Sequence, residues 1–146
     1  MISQDFTIRF TAEKTPEEVF NAINNVRGWW SGEIEGETDK EGAIFTYRVP
    51  GIHFSKQKIL VLSIPRIHWQ IVESNLSFLK NKNEWTGTAI NFEILAHGLF
   101  SEIQFTHQGL VPIQECYGDC SNAWGMLING NLQKLINTGK PQPSPW

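Results

Sequence analysis

The sequence predicts an α+β domain in which a curved antiparallel β-sheet wraps around one long C-terminal helix, with two short helices after the first strand. Three observations carry that prediction. A strand-like N-terminal segment runs into a complete helix-start signal, a succession of period-two segments fills the middle, and a stripe of helical period occupies the last quarter. The length agrees, since 146 residues suit one domain, expected over residues 1–140 and followed by a Pro-rich tail at 141–146.

Phe6-Thr7-Ile8-Arg9-Phe10 alternates apolar and polar residues, the period of a half-buried strand. Thr15-Pro16-Glu17-Glu18 then supplies an N-cap, a proline at the first helical position and a glutamate three residues past the cap. Together these satisfy the orphan amides of a helix N-terminus. Val19, Ala22, Ile23 and Val26 follow at i, i+3, i+4 and i+7, so this helix has one apolar face and is expected to end near Asn25. Gly28 breaks the pattern. Trp29-Trp30 are expected in a short second turn of helix, ahead of a loop from Gly32 to Gly42.

Ala43, Phe45, Tyr47 and Val49 share one face of the next strand, and Pro50-Gly51 turns the chain. Phe54 to Ile64 form a longer strand that Pro65 ends. Ile67, Trp69 and Ile71 alternate with His68 and Gln70, and the stretch from Leu79 to Glu84 reads as a hairpin loop. Ile90, Phe92 and Ile94 alternate with Asn91 and Glu93; after His97-Gly98, Ile103, Phe105 and His107 share a face opposite Glu102, Gln104 and Thr106. Short turns make such neighbours antiparallel. Cys120, Ala123, Trp124, Leu127, Ile128, Asn131, Leu135 and Ile136 then form the stripe of the longest helix, stopped by Gly139 with Pro141 beyond. Its start falls between Gln114 and Asp119, where Gly118 weakens the helical pattern.

Composition excludes several classes. With 40% apolar and 18% charged residues the chain is not of the disordered type. A net charge of −3, with no like-charge run longer than Glu17-Glu18, lacks the footprint of a nucleic-acid or anionic-membrane binder. No apolar run approaches a membrane span, and Met1 to Asp5 lacks a basic segment followed by a hydrophobic one, so the expectation is a cytoplasmic protein. Two cysteines are too few for the disulfide framework of a secreted scaffold. No nucleophile elbow, zinc-protease motif or phosphate loop is present; Thr138-Gly139-Lys140 follows a helix instead of opening one. No catalytic residue is assigned and no cofactor is expected.

Six Trp, nine Phe and two Tyr are a large aromatic load for one domain, and a dense core, a ligand cavity or a contact surface would each account for it. Phe45, Tyr47, Trp69, Phe92 and Phe105 lie on single strand faces directed at Trp124, Leu127 and Ile128 of the helix. They either interdigitate as a solid core or line a pocket. His107 shares the face of Phe105, where an imidazole serves as a hydrogen-bond partner, as a general base in an apolar cavity, or as a structural residue bonded to its surroundings. Cys116 and Cys120, four apart, would with His107 make three soft ligands, one short of a structural zinc site. They are read as small buried apolar residues, and no metal is expected.

Thr15 to Ile23 with Gly28-Trp29-Trp30, and Ala123-Trp124-Gly125-Met126-Leu127 with Leu132, Leu135 and Gly139, resemble the SRPBCC superfamily, also called START-like or birch-pollen-allergen-like. Within it the sequence is most similar to the branch of the activator of the heat-shock protein 90 ATPase. Val61-Leu62-Ser63-Ile64-Pro65 with Trp69, Thr86-Gly87-Thr88, and Thr106 to Leu110 sit where that branch has its sheet and the approach to its last helix. The resemblance implies a helix-grip fold, in which sheet and helix enclose a deep apolar cavity that binds lipids, sterols, polyketides or plant hormones. It turns the open choice toward a small hydrophobic or amphipathic ligand. The lining it implies is Phe45, Tyr47, Trp69, Phe92, Phe105, His107, Trp124, Leu127 and Ile128, with Trp29 and Trp30 near the mouth. Trp85 and Trp146 are expected at the rim or on a contact surface. Two other functions stand beside ligand binding: a protein-interaction module of the chaperone-associated kind, and a polyketide cyclase- or hydrolase-like enzyme.

Overall fold

A computed structural model describes residues 4–30 and 32–143. Trp146 lies outside the described residues, and so does part of the tail. The chain forms β1 (Phe6–Ala12), α1 (Pro16–Asn24), a 3₁₀ turn (Val26–Gly28), β2 (Glu33–Glu35), β3 (Ile44–Val49), β4 (His53–Ser63), β5 (Arg66–Leu76), β6 (Ala89–His97) and β7 (Phe100–Gln108). The C-terminal helix begins as α2 (Tyr117–Gly125), widens to a π-helical stretch (Met126–Leu132) and ends as α3 (Gln133–Thr138). The seven strands make one antiparallel sheet in the order β1-β7-β6-β5-β4-β3-β2, so only the β1–β7 pairing departs from chain order. This is the α+β helix-grip arrangement that the element order and the resemblance led us to expect.

The capping box at Thr15 is complete. The Thr15 hydroxyl accepts from the Glu18 amide at 3.2 Å and the Glu18 carboxylate accepts from the Thr15 amide at 3.3 Å. Val19 and Ile23 are fully buried, as the apolar face requires. The second short helix differs from expectation: the 3₁₀ turn precedes Trp29 instead of containing it. The physical reason is Trp29 itself, whose indole Nε1 donates to the Ile23 carbonyl at 3.0 Å and folds the chain back onto the end of α1. The expected Gly32 to Gly42 loop also contains β2, an edge strand of three residues paired with β3.

Sheet curvature has a local cause. The β4–β5 register shifts between Lys56 and Gln57 and again between Ile59 and Val61, so that Val72 and Leu60 fall outside the ladder and remain exposed. Such bulges bend a strand and increase its twist, closing the sheet around the helix. The π-helical stretch has a corresponding effect. Its wider turn brings the adjacent pairs Leu127-Ile128 and Asn131-Leu132 inward together, and all four are buried. Asn131 is the polar member; its Nδ2 donates to the carbonyls of Trp29 (3.2 Å) and Pro143 (3.0 Å). Gly139 ends the helix in the left-handed conformation at φ 73°, with its amide donating to the Leu135 carbonyl. No helix among the described residues is long and apolar enough to cross a membrane.

Candidate ligand cavity

Alternation along β3 to β7 sends Phe45, Tyr47, Ile59, Trp69, Phe92, Phe105 and His107 toward the C-terminal helix, and all of them are buried. The middle of that space is filled. Trp30 and Trp69 lie parallel within 2° at 6.2 Å, Trp29 stacks beside both, and Phe92 meets Trp29 and Trp69 edge-on. Phe45, Phe105 and Ile128 complete the same layer. Toward one end, the end carrying the β3–β4 turn and the start of α2, the packing opens into a cavity of about 370 Å³. Trp30, Tyr47, Trp85 and Trp124 form its aromatic walls, joined by Val49, Ile52, His53, Phe78, Ala123 and Leu127, with Asp119 and Cys120 from the first turn of α2.

Of the residues that the sequence pointed to, the structure brings Trp30, Tyr47, Trp124 and Leu127 together around the cavity. Trp29, Phe45, Trp69, Phe92, Phe105, His107 and Ile128 lie behind it in the packed layer, buried against one another. Trp29 anchors the short helices, and Trp30 is the member of the pair that borders the open space. Trp85, expected at a rim or contact surface, is buried in the wall and stacks on Trp124 at 5.8 Å.

His107 has both ring nitrogens engaged. The indole Nε1 of Trp124 donates to Nδ1 at 3.0 Å, which assigns the proton to Nε2. Nε2 then donates to the Thr88 hydroxyl at 2.9 Å, and that hydroxyl donates onward to the Trp85 carbonyl at 2.6 Å. Burial lowers the His107 pKa to about 3, so the ring is neutral and fixed as a bridge between the two tryptophans of the cavity wall. His53 is the imidazole that borders the cavity. It meets Tyr47 and Trp85 edge-on, its Nε2 lies 2.9 Å from the Ser55 hydroxyl, and burial lowers its pKa to about 4. Ser55 also accepts from the Gln57 side chain, so a polar string runs along the inner face of β4 from the cavity into the core. Burial pushes the Tyr47 phenol up, opposed by a hydrogen bond with Trp30, and keeps it protonated.

The loop carrying Trp85 is fastened to the helix start by two glutamates. Glu84 accepts from the amides of Glu115 (3.0 Å) and Cys116 (2.9 Å), while Glu115 accepts from those of Lys80 and Asn81. These amides hold the Glu115 carboxyl below the usual carboxylate range. Cys116 and Cys120 are buried, as small apolar residues would be, and a disulfide joins them. Four residues apart at the start of a helix, they face the same side, and their Cα atoms stand 5.5 Å apart. No group of three or more His, Cys, Asp or Glu among the described residues is placed to hold a metal ion.

Sequence reasoning missed His53, Ile52, Phe78 and Asp119 as cavity residues. The signal was the alternation His53, Ser55, Gln57, Ile59, which puts three polar residues on an inward face and leaves Phe54 outside beneath the Arg48 guanidinium at 5.0 Å.

No protein-family model and no curated protein matches the chain. Solved structures do. The Aha1 dimer from Colwellia psychrerythraea matches over 96% of this chain and 99% of its own, with a TM-score of 0.73 and 20% identity. The chain has the fold of that protein. CalU16 from Micromonospora echinospora matches over 95% of this chain and 77% of its own, at TM-score 0.65 and 18% identity. DynU16, a putative protein in the dynemicin biosynthetic locus, matches over 99% of this chain at TM-score 0.69 and 13% identity; this chain spans 51% of it. At these identities the likeness is one of fold, and it agrees with the SRPBCC resemblance of the sequence.

Proposed function

We propose that the protein binds one small hydrophobic or amphipathic molecule in the cavity at the end of the sheet–helix interior and carries out no reaction on it. The observation that carries this reading is the cavity itself, about 370 Å³ bounded by Trp30, Tyr47, Phe78, Trp85 and Trp124 in a core that is elsewhere filled. Its volume lies toward the small end of ligand pockets, roughly 300–1,000 Å³, and fits a compact ring system better than a diacyl lipid. Burial of the ligand against the Trp and Tyr faces supplies affinity, at about 25 cal/mol per Å² of apolar area. His53 and the Tyr47 hydroxyl are the neutral polar groups that would orient it. A catalytic reading through His107 is not supported, because both lone-pair and N–H positions of its ring are spent on Trp124 and Thr88.

The test is a titration with the apolar fluorophore anilinonaphthalene sulfonate, read by its own emission and by quenching of the tryptophans. Wild type is expected to bind saturably at one site, and Ala123→Trp, which fills the cavity from the helix side, to lose at least tenfold in affinity while keeping its near-UV circular dichroism. Equal binding by both proteins would refute the reading. A second reading, a protein-interaction module, draws support from Leu99 and Ile113, exposed at 95% and 92% in the loops that precede and follow β7. Its expected outcome is capture of a partner that Leu99→Asp or Ile113→Asp abolishes and Ala123→Trp leaves intact.

A further inference from the structure

We propose that the Cys116–Cys120 disulfide is a reversible thiol–disulfide exchange site, reached by low-molecular-weight thiols through the apolar cavity. Its sulfurs are not equivalent. Cys120 lines the cavity, whereas Cys116 is fully buried behind it. A thiolate entering the cavity therefore meets Cys120 Sγ first.

As a structural staple the bond would achieve little. A disulfide restricts the unfolded chain in proportion to the logarithm of the loop it closes, and this loop spans four residues inside one helical turn. The surrounding scaffold also holds the two positions without it. Glu84 binds the Cys116 amide at 2.9 Å, the Cys120 amide donates to the Cys116 carbonyl at 2.8 Å, and α2 continues into the helix beyond. The Cα atoms, 5.5 Å apart, fall within the range a disulfide bridges. A bond that contributes little to the fold and opens on a cavity is placed for chemistry.

An external thiolate RS⁻ attacks Cys120 Sγ, forming the mixed disulfide RS–Sγ and breaking the Sγ–Sγ bond, and Cys116 leaves as a thiolate that takes a proton from solvent. A second RS⁻ attacks the R-bearing sulfur, releasing Cys120 as a thiolate that is likewise protonated, with RSSR as product. Two RSH are oxidised and one protein disulfide is reduced; small disulfides drive the reverse.

The experiment uses the full chain with β-mercaptoethanol and hydroxyethyl disulfide as the redox couple, followed by acid quenching, alkylation and intact mass. The expected result is a two-electron transition from no alkyl groups to two. Cys116→Ser is expected to form a mixed disulfide with hydroxyethyl disulfide at Cys120 at least tenfold faster than Cys120→Ser does at Cys116. Ala123→Trp, one turn along the same cavity wall, is expected to slow reduction of the disulfide at least tenfold. If that variant fails to fold, Val49→Phe narrows the cavity from the sheet side with the same expectation. Failure of the pair to oxidise, equal trapping at the two cysteines, or a reduction rate indifferent to cavity filling would each overturn the proposal. None of these readouts involves a bound ligand, so they stand or fall separately from the fluorophore titration.

Discussion

His107 is both a hydrogen-bond bridge and a source of pH dependence. Its Nδ1 satisfies the buried indole of Trp124, so His107→Phe leaves that N–H without a partner and is expected to cost about 1–3 kcal/mol at neutral pH. In the folded protein the ring has a pKa of about 3 and that of His53 about 4, against an ordinary value of 6.5 in the unfolded chain. Below pH 6.5 the unfolded state therefore takes up protons that the folded state refuses, and stability falls with pH until the folded pKa is reached. Each histidine contributes a slope of about 1.4 kcal/mol per pH unit in that window. Urea denaturation of wild type and His107→Phe should show a gap in stability at pH 7 that narrows steadily toward about pH 4.5; a gap independent of pH would contradict the assignment. Gly109 belongs to the same cluster. It sits at φ +97°, and a Cβ there would come within 2.7 Å of the Thr88 side chain that bonds His107. Gly109→Ala should destabilise by more than about 1 kcal/mol, measured as a drop in melting temperature, since both the backbone conformation and the contact are unfavourable. That a histidine shares the face of Phe105 was legible in the alternation of β7. Its two partners were not, because Thr88 and Trp124 lie on other elements and only the folded chain brings them within reach.

At the level of elements, the link between the Trp85 loop and α2 rests on paired carboxylates. Glu84→Ala removes two charge-assisted bonds to the Glu115 and Cys116 amides, which lead directly into α2. Partial exposure of these groups reduces their worth to about 1 kcal/mol, or a fall of roughly 2–4 °C in melting temperature for a domain of this size. Amide hydrogen exchange should accelerate at residues 115–117 and around Trp85 while the β6–β7 amides remain protected; unchanged exchange at both segments would rule the clamp out. Elements with a local code were readable. The capping box set the start of α1, alternation set the faces of β3, β5, β6 and β7, and Gly139 set the end of the last helix. Elements whose form depends on tertiary contact were not. The 3₁₀ turn depends on Trp29 folding back onto Ile23, β2 depends on a neighbour to pair with, and the π-helical widening depends on the sheet that receives Leu127, Ile128, Asn131 and Leu132.

For the molecule as a whole, the aromatic residues divide into two populations. Trp29, Trp69, Phe45, Phe92 and Phe105 fill the centre of the grip and stabilise it as any core does, while Trp30, Tyr47, Trp85 and Trp124 leave a space at one end. Periodicity reports which side chains turn inward and is silent on whether inward space is occupied, which is why the two populations had the same appearance in sequence. Trp85 shows the difference most clearly: in a loop with no period of its own, it acquires its place in the wall from stacking on Trp124 and from the Glu84 clamp. The most direct test of the account is native mass spectrometry of the purified protein equilibrated with a cellular small-molecule extract, with Ala123→Trp alongside. One discrete bound mass at one-to-one stoichiometry is expected on wild type and none on the variant, whereas a wild type that stays free of ligand, or a variant that binds the same mass equally, would contradict ligand binding in the cavity.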